Sequence, residues 1–158
     1  MALQVRRVIT GHDANGRAVV KIDEVSKNLM SRRPGQTSCV IWTTVTSPAD
    51  NTGDGDAALG QVATTRPGGT VFRIGEFAPG VAPRNHRTDS IDYAVVLSGE
   101  IEMDLDGTPV HLKAGDVLVQ RGTIHNWINH GAVPCVIAFV LIDAKPVSIG
   151  GKVLSAVG

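Results

Sequence analysis

Turn residues recur at short intervals in the second half of this chain, and their spacing limits the fold more than any other feature. Gly99, Gly107, Gly115 and Gly122 stand about eight residues apart. Runs rich in apolar and β-branched residues lie between them and upstream of them: 38–45, 70–77, 92–99, 100–107, 115–120, 123–129 and 135–143. Short strands separated by regular turns are typical of sandwiches and barrels. We therefore expect an all-β fold, a small jelly roll or barrel.

The first half of the chain adds a few local predictions. The pair Asn15-Gly16, between two strand-like runs, is typical of a hairpin turn. Segment 22–30 could form a short helix, and the glycine-rich polar segment 47–60 should be a long surface loop. Cys39 and Cys135 are distant and form no metal-binding or redox pattern. We expect both cysteines to be buried as small hydrophobic side chains.

The charge balance limits the classes of partner. The chain has 158 residues, with 15 Lys and Arg against 15 Asp and Glu, so its formal net charge is zero. Without a basic surplus there is no electrostatic reason to expect nucleic acid or an anionic membrane as a partner. No signal-peptide pattern opens the chain, and the longest apolar run, 136–142, is too short to span a bilayer. We expect one cytoplasmic domain.

The polar segment 84–93, RNHRTDSIDY, stands directly before an apolar run. Residues i and i+2 of a strand share a face. Alternate residues here would therefore form one polar face that points into the barrel: His86, Thr88, Ser90 and Asp92. Tyr93 has the opposite parity, so it should lie outside.

A second polar cluster lies between residues 115 and 129. His125, Trp127 and Asn129 share a face of one strand by the same alternation. Gln120 has the parity of Leu118 and could line the same interior. The remaining histidines, His12, His111 and His130, are expected at the surface.

These two clusters resemble the two motifs of the cupin superfamily, which are small double-stranded β-helix proteins. In the first motif the glycine, first histidine, glutamate and closing glycine correspond to Gly80, His86, Asp92 and Gly99. In the second motif the glycine, turn glycine, histidine and asparagine correspond to Gly115, Gly122, His125 and Asn129. Thr88 stands where the family has a second histidine, and Asp92 is one methylene shorter than glutamate. The resemblance covers about Gly69 to Asp143.

The resemblance implies a double-stranded β-helix, the jelly roll or cupin barrel, as the core at 69–158. Residues 1–68 would be an extension of strands and a loop that packs on the barrel or is exchanged between barrels. Small cupins of this kind commonly form homodimers. Val95 and Leu97 lie on the face opposite Asp92 and need cover, either from the N-terminal strands or from a second subunit.

Two histidines and one carboxylate are the facial ligand set of non-haem iron(II) sites, and imidazole also suits zinc, nickel and copper. His86, Asp92 and His125 are therefore the expected ligands of a divalent transition metal: iron, manganese, nickel or zinc. Thr88 could hold a metal-bound water. The alternative is a metal-free pocket in which His86 and His125 are hydrogen-bonded polar groups.

Other polar residues complete the expected pocket. The side chains that would orient substrate or water are Thr88, Ser90, Gln120 and Asn129. Trp127 would be either an apolar wall of the pocket or plain core. Arg84 could pair with an anionic substrate at the rim, or it is a solvated loop residue.

Two functions follow from the resemblance. The first is a metal-dependent enzyme with dioxygenase, decarboxylase or isomerase chemistry on a small organic acid, phenol or sugar-like substrate. The second is a metal-free cupin, either a ligand-binding or sensor module or an acid/base enzyme that uses His86 or His125. A DNA-binding or structural role ranks third, because there is no basic face and no helix-turn-helix pattern.

Overall fold

The fold is all-β. A computed structural model describes residues 3–158, and all regular secondary structure in that range is strand. No helix there is long and apolar enough to cross a membrane. The strands are β1 (Arg6–His12), β2 (Ala18–Val25), β3 (Leu29–Arg33), β4 (Gln36–Thr44), β5 (Thr70–Phe77), β6 (Ser90–Ser98), β7 (Glu100–Leu105), β8 (Thr108–Lys113), β9 (Val117–Arg121), β10 (Asn126–Ile128), β11 (Cys135–Asp143), β12 (Val147–Ile149) and β13 (Lys152–Leu154).

Two antiparallel sheets form the jelly roll. The larger has six strands in the order β3-β4-β5-β11-β6-β9, and the smaller has three in the order β10-β7-β8. Side chains from both sheets meet in one buried cluster. The larger sheet contributes Phe77, Ala94, Val96 and Ile137, and the smaller contributes Ile101, Met103, Leu112 and Trp127. The predicted all-β jelly roll is therefore confirmed.

The N-terminal residues divide between the main sheet and a separate hairpin. Strands β3 and β4 pair beside β5 in the six-stranded sheet, while β1 and β2 pair only with each other. The predicted turn at Asn15-Gly16 connects this hairpin, with Gly16 at a φ of 76°. The Oδ1 of Asp13 accepts hydrogen bonds from the backbone N–H groups of Asn15 and Arg17, at 2.8 and 2.9 Å.

The predicted short helix over 22–30 is wrong. Residues up to Val25 belong to β2 and pair with β1, and Leu29 begins β3 and pairs with Cys39 of β4. The β-branched residues that precede this segment favour an extended chain. Strand pairing on both sides of residues 26–28 then leaves no room for a helical turn.

The outer face of the main sheet is apolar, and only part of it is covered. Leu3 packs on Cys39, Ile41 and Ile74 in a cluster on the β4–β5 side. On the β6–β9 side the outward apolar residues are exposed: Tyr93, Val95, Leu97, Val117 and Val119. The outward position of Tyr93 is as predicted. Among the described residues no N-terminal strand covers this side, so cover by a second subunit stays a prediction.

Two further predictions are confirmed. Cys39 and Cys135 are both buried and unpaired as thiols. The segment 47–60 contains no strand and joins the long connection between β4 and β5.

Candidate active site in the barrel

The barrel encloses a cavity of about 380 Å³ between its two sheets. That volume is within the usual range for small-molecule pockets. Its apolar wall is formed by Phe77, Trp127, Phe139 and Leu141. Its polar wall includes His86, Thr88, Asp92, Gln120 and His125, and four arginines reach it: Arg32, Arg33, Arg73 and Arg84.

His86 and His125 face each other across the two motif segments. Their backbones form an isolated antiparallel bridge, with reciprocal N–H···O bonds of 2.9 Å. The two imidazole centroids are 4.2 Å apart. Only 7% of His86 and 3% of His125 is exposed to solvent. The strand alternation predicted both inward orientations, but only the bridge brings the rings together.

Backbone carbonyls determine the tautomer of both histidines. The Nδ1 of His86 lies 3.0 Å from the carbonyl oxygen of Arg84, and the Nδ1 of His125 lies 3.0 Å from that of Thr123. A carbonyl oxygen can only accept, so each Nδ1 carries a proton and donates it. In the neutral imidazole, Nε2 then keeps its lone pair. The pair therefore offers two Nε2 acceptors in a buried site.

Burial keeps both imidazoles neutral. It is the main reason that the pKa of His125 falls to about 4, and the nearby charge of His86 lowers it further. Burial also lowers the pKa of His86, while its hydrogen bond to Arg84 opposes the shift. Near neutral pH both rings are uncharged, which suits either a proton acceptor or a metal ligand.

Asp92 belongs to a short buried chain of oxygens. The Ser90 Oγ lies 2.6 Å from Asp92 Oδ1 and 2.8 Å from Thr88 Oγ1. A serine hydroxyl has one proton, so Ser90 can donate to only one of these atoms at a time. Burial raises the pKa of Asp92 to about 6, against the opposing effect of the Ser90 hydrogen bond. Asp92 is therefore close to its titration point near neutral pH.

The predicted ligand set of His86, Asp92 and His125 is not assembled. Within residues 3–158, no group of three or more His, Cys, Asp or Glu side chains is placed to hold a metal ion. Asp92 lies opposite Gln120 in the β6–β9 ladder and is bonded to Ser90, while the two histidines meet at a separate bridge. All three side chains line the same cavity but are not grouped as metal ligands, so metal binding by these three residues stays a prediction.

Of the other predicted residues, Gln120, Trp127 and Arg84 line the cavity and Ser90 does not. Gln120 lines the cavity, and its Nε2 donates to Thr123 Oγ1 at 2.9 Å. Trp127 is both cavity wall and core, with its ring 5.7 Å from that of His125. Ser90 touches Asp92 and Thr88 rather than the cavity. Arg84 is half-buried at the cavity, not a solvated loop residue.

Asn129 does not line the cavity, contrary to expectation. Its Nδ2 donates to the carbonyls of Phe77 and Val133 at 2.8 and 2.9 Å, and its Oδ1 accepts from Gly131 N–H at 2.8 Å. Strand β10 ends at Ile128, so the alternation that predicted an inward side chain stops one residue earlier. Asn129 instead holds the loop that follows β10.

The sequence interpretation missed Arg33 and Arg73, which also reach the cavity. Arg73 has the parity of the buried residues Val71 and Phe77 in β5. An arginine on the inward face of an apolar strand is therefore a local signal that could have identified it. Arg33 carries no such signal, because it lies at the end of β3 beside a turn.

The chain is similar to proteins of known family. The Cupin domain family pattern, Cupin_2, matches residues 73–142. The chain is 40% identical to "Phomopsin biosynthesis cluster protein C'" of Diaporthe leptostromiformis, over 96% of this chain and 85% of that protein. It is 37% identical to "Cupin-domain-containing oxidoreductase fogC" of Aspergillus ruber, over 94% of this chain and 77% of that protein.

Two solved structures share the fold at low identity. The cupin domain of Schizosaccharomyces pombe Cnp3 has a TM-score of 0.51 at 14% identity, and covers 90% of this chain and 89% of that one. KdgF from a Halomonas species has a TM-score of 0.50 at 16% identity, and covers 72% of this chain and 84% of that one. At such identities the likeness concerns the fold alone.

Proposed function

This chain belongs to the cupin family, and on that premise we propose that it is a small-molecule enzyme whose proton-transfer groups are His86 and His125. The observation that carries the proposal is the pairing of the two rings at 4.2 Å in a buried cavity. Both Nδ1 atoms are engaged by carbonyls, so both Nε2 atoms are available as proton acceptors. A residue that only fills a core needs no such arrangement.

The charges around the two histidines make their basicity depend on the charge of the bound substrate. Imidazoles with lowered pKa values are weak bases, and the positive charges of Arg33 and Arg84 contribute to that lowering at both histidines. A substrate with a negative charge near these arginines offsets them, which favours the protonated imidazole. The base then becomes stronger when the substrate is bound. Asp92, with its pKa raised to about 6, is a second group that can exchange a proton near neutral pH.

The names of the relatives favour an enzyme over a ligand-binding or sensor module. One is named as a protein of a biosynthesis cluster, and another as an oxidoreductase. We infer a role in the biosynthesis of a small molecule, with a small organic acid, phenol or sugar-like compound as substrate. The aromatic wall and the buried polar groups are the usual elements of such a pocket.

Replacing His125 with alanine should lower turnover about 10²- to 10⁴-fold, the usual contribution of a general acid or base. The purified chain is incubated with a small-molecule extract, and consumed or formed compounds are followed by mass spectrometry. His111→Ala is the matched control, because His111 is exposed outside the cavity. A compound consumed equally by His125→Ala and by the unaltered chain would contradict the role of His125. No consumption by the unaltered chain, with or without added metal and oxygen, would contradict an enzyme.

A metal-dependent enzyme is the second candidate, and the orientation of the two Nε2 atoms favours it. Metal-binding histidines commonly donate their other ring N–H to a carbonyl, as both do here. Two neutral imidazoles are nevertheless a weak site without a third protein ligand, and the nearby arginines repel a cation.

We therefore expect metal content well below stoichiometric in protein purified without a His tag. We also expect no rise in Tm when manganese, iron, nickel or zinc is added. Elemental analysis and thermal unfolding measure the two quantities. A stoichiometric metal that disappears in His125→Ala would reverse this order and make the metal-dependent enzyme the better candidate.

A further inference from the structure

Four arginines line the cavity. Arg73 points inward from β5, Arg33 ends β3, and Arg84 precedes the segment that carries His86. Arg32 is exposed at the mouth. Asp92 is the only acidic side chain that lines this cavity in the described part of the chain. The cavity therefore carries a local positive charge, although the whole chain is neutral.

Within residues 3–158 no Asp or Glu side chain forms a close ion pair with the arginines of the cavity, although the charge of Asp92 acts on Arg73 from a greater distance. None of the four lies within 4.0 Å of an Asp or Glu carboxylate oxygen. The Nε of Arg73 and one terminal nitrogen of Arg33 are buried without a hydrogen-bond partner in this part of the chain. Other nitrogens bond to main-chain oxygens, Arg73 to that of Ala63 at 2.6 Å and Arg84 to that of the terminal Gly158 at 2.7 Å. Burying donors and charges without partners is unfavourable, so these nitrogens are candidates to bind a ligand.

Arg7 is a buried arginine that forms ion pairs with neighbouring carboxylates. Its side chain is 3% exposed and contacts both Glu24 and Asp56. Arg33 and Arg73 have no such carboxylates, although both are removed from much of the solvent. The contrast separates the arginines of the cavity from the structural ion pair.

We propose that Arg33, Arg73 and Arg84 bind the carboxylate of an organic acid, with its apolar part against Phe77, Trp127 and Phe139. The proposal rests on the proposed function in that it names the substrate class of the same site. A planar guanidinium matches a carboxylate through paired N–H donors. The aromatic wall favours an acid with an apolar or aromatic body over inorganic phosphate, which would leave that wall in contact with water.

The electrostatics of the arginines agree with an anionic ligand. Burial lowers the pKa of Arg73 to about 10, and the charge of Arg32 adds to the lowering, while the carboxylate of Asp92 opposes it. The pKa values of Arg33 and Arg84 are also lowered, first by burial and then by another arginine of the group. All three remain protonated near neutral pH. A bound carboxylate would relieve their mutual repulsion.

Calorimetric titration tests the proposal with phenylacetate and indoleacetate, each compared with its neutral amide. We expect each acid to bind about tenfold or more tightly than its amide, because only the acid pairs with the buried charges. Inorganic phosphate is the third probe and should bind more weakly than either acid. Equal affinity for acid and amide, or no binding of either acid, would overturn the proposal. Phosphate that binds more tightly than both acids would assign the site to phosphorylated ligands instead.

Two substitutions test whether the acids bind at Arg33 and Arg73. Arg73→Gln and Arg33→Gln should each weaken acid binding about tenfold or more and leave amide binding unchanged. Arg17→Gln removes the same charge from an exposed turn and should alter affinity less than about twofold. If Arg73→Gln does not fold, Arg73→Lys keeps the charge without the planar fork and should retain only part of the affinity. Unchanged acid affinity in the Arg33 and Arg73 variants would contradict the proposal.

A third variant separates this proposal from the proposed function. His125→Gln should bind the acids as the unaltered chain does, while it loses turnover. Acid binding without any turnover by the unaltered chain would leave the carboxylate site standing and the enzyme proposal refuted. Turnover of a neutral compound without acid binding would refute the carboxylate site and leave the enzyme proposal standing.

Discussion

Replacing Arg7 with methionine should lower the free energy of unfolding by about 3 to 5 kcal/mol, the usual effect of removing one partner of a buried ion pair. Arg7 donates to Glu24 Oε1 at 2.7 and 3.0 Å and to Asp56 Oδ1 at 2.8 Å, and a second contact joins it to Asp56 Oδ2. The bonds to Asp56 connect the β1–β2 hairpin to the long connection after β4. Methionine keeps much of the volume but leaves the Asp56 carboxylate, whose side chain is 16% exposed, without its cation.

Arg6 is the matched control for Arg7. It forms a bidentate pair with Asp23 on the same hairpin, at 2.8 Å for both bonds, but the two side chains are 68% and 46% exposed. Arg6→Met should therefore lower the free energy of unfolding much less than Arg7→Met does, because solvent screens an exposed ion pair. Urea unfolding followed by circular dichroism measures both variants. Equal losses for Arg6→Met and Arg7→Met would show that burial of the Arg7 pair contributes nothing to stability.

Replacing Asp92 with asparagine should raise the free energy of unfolding by about 3 kcal/mol above pH 7 and leave it nearly unchanged near pH 4. The pKa of Asp92 is about 6 in the folded chain, above its ordinary value of 3.8. Between these values the folded state binds more protons than the unfolded state, so stability falls as the pH rises. Above both pKa values the buried carboxylate is charged, so the folded state carries the full free-energy cost of burying that charge. Asparagine removes the charge and keeps the shape.

His125 gives the opposite pH dependence. Its pKa is about 4 when folded and 6.5 ordinarily, so between these values the unfolded state binds more protons. Stability from His125 therefore rises with pH, by about 3 kcal/mol over this window. In the unaltered chain the effects of Asp92 and His125 largely cancel. In Asp92→Asn the rise from His125 should become visible.

Urea unfolding between about pH 4 and pH 8 measures both contributions. Glu100→Gln is the control, since Glu100 is exposed, and it should change stability by less than about 0.5 kcal/mol at any pH. A pH profile of Asp92→Asn parallel to that of the unaltered chain would show that Asp92 is not a buried group with a raised pKa.

Local patterns predicted the strands better than the single helix candidate. Alternation and turn residues act over a few neighbours, so the hairpin at Asn15-Gly16 and the outward position of Tyr93 were predictable. The helix prediction for 22–30 was wrong because the secondary structure of this segment depends on pairing with β1 and β4, which lie elsewhere in the sequence. The prediction that Asn129 lines the cavity was wrong for a related reason, because the end of β10 interrupts the alternation.

Within a strand, the face of a side chain follows from its parity, so the inward positions of His86, Asp92 and His125 are predictable from local sequence. Which of these side chains meet depends instead on how distant segments pair. The bridge between the two motif segments brings the histidines to 4.2 Å, and Asp92 pairs beside Gln120 instead. The grouping of Arg33, Arg73 and Arg84 also depends on how three distant segments meet at one cavity, and no local pattern contains that geometry.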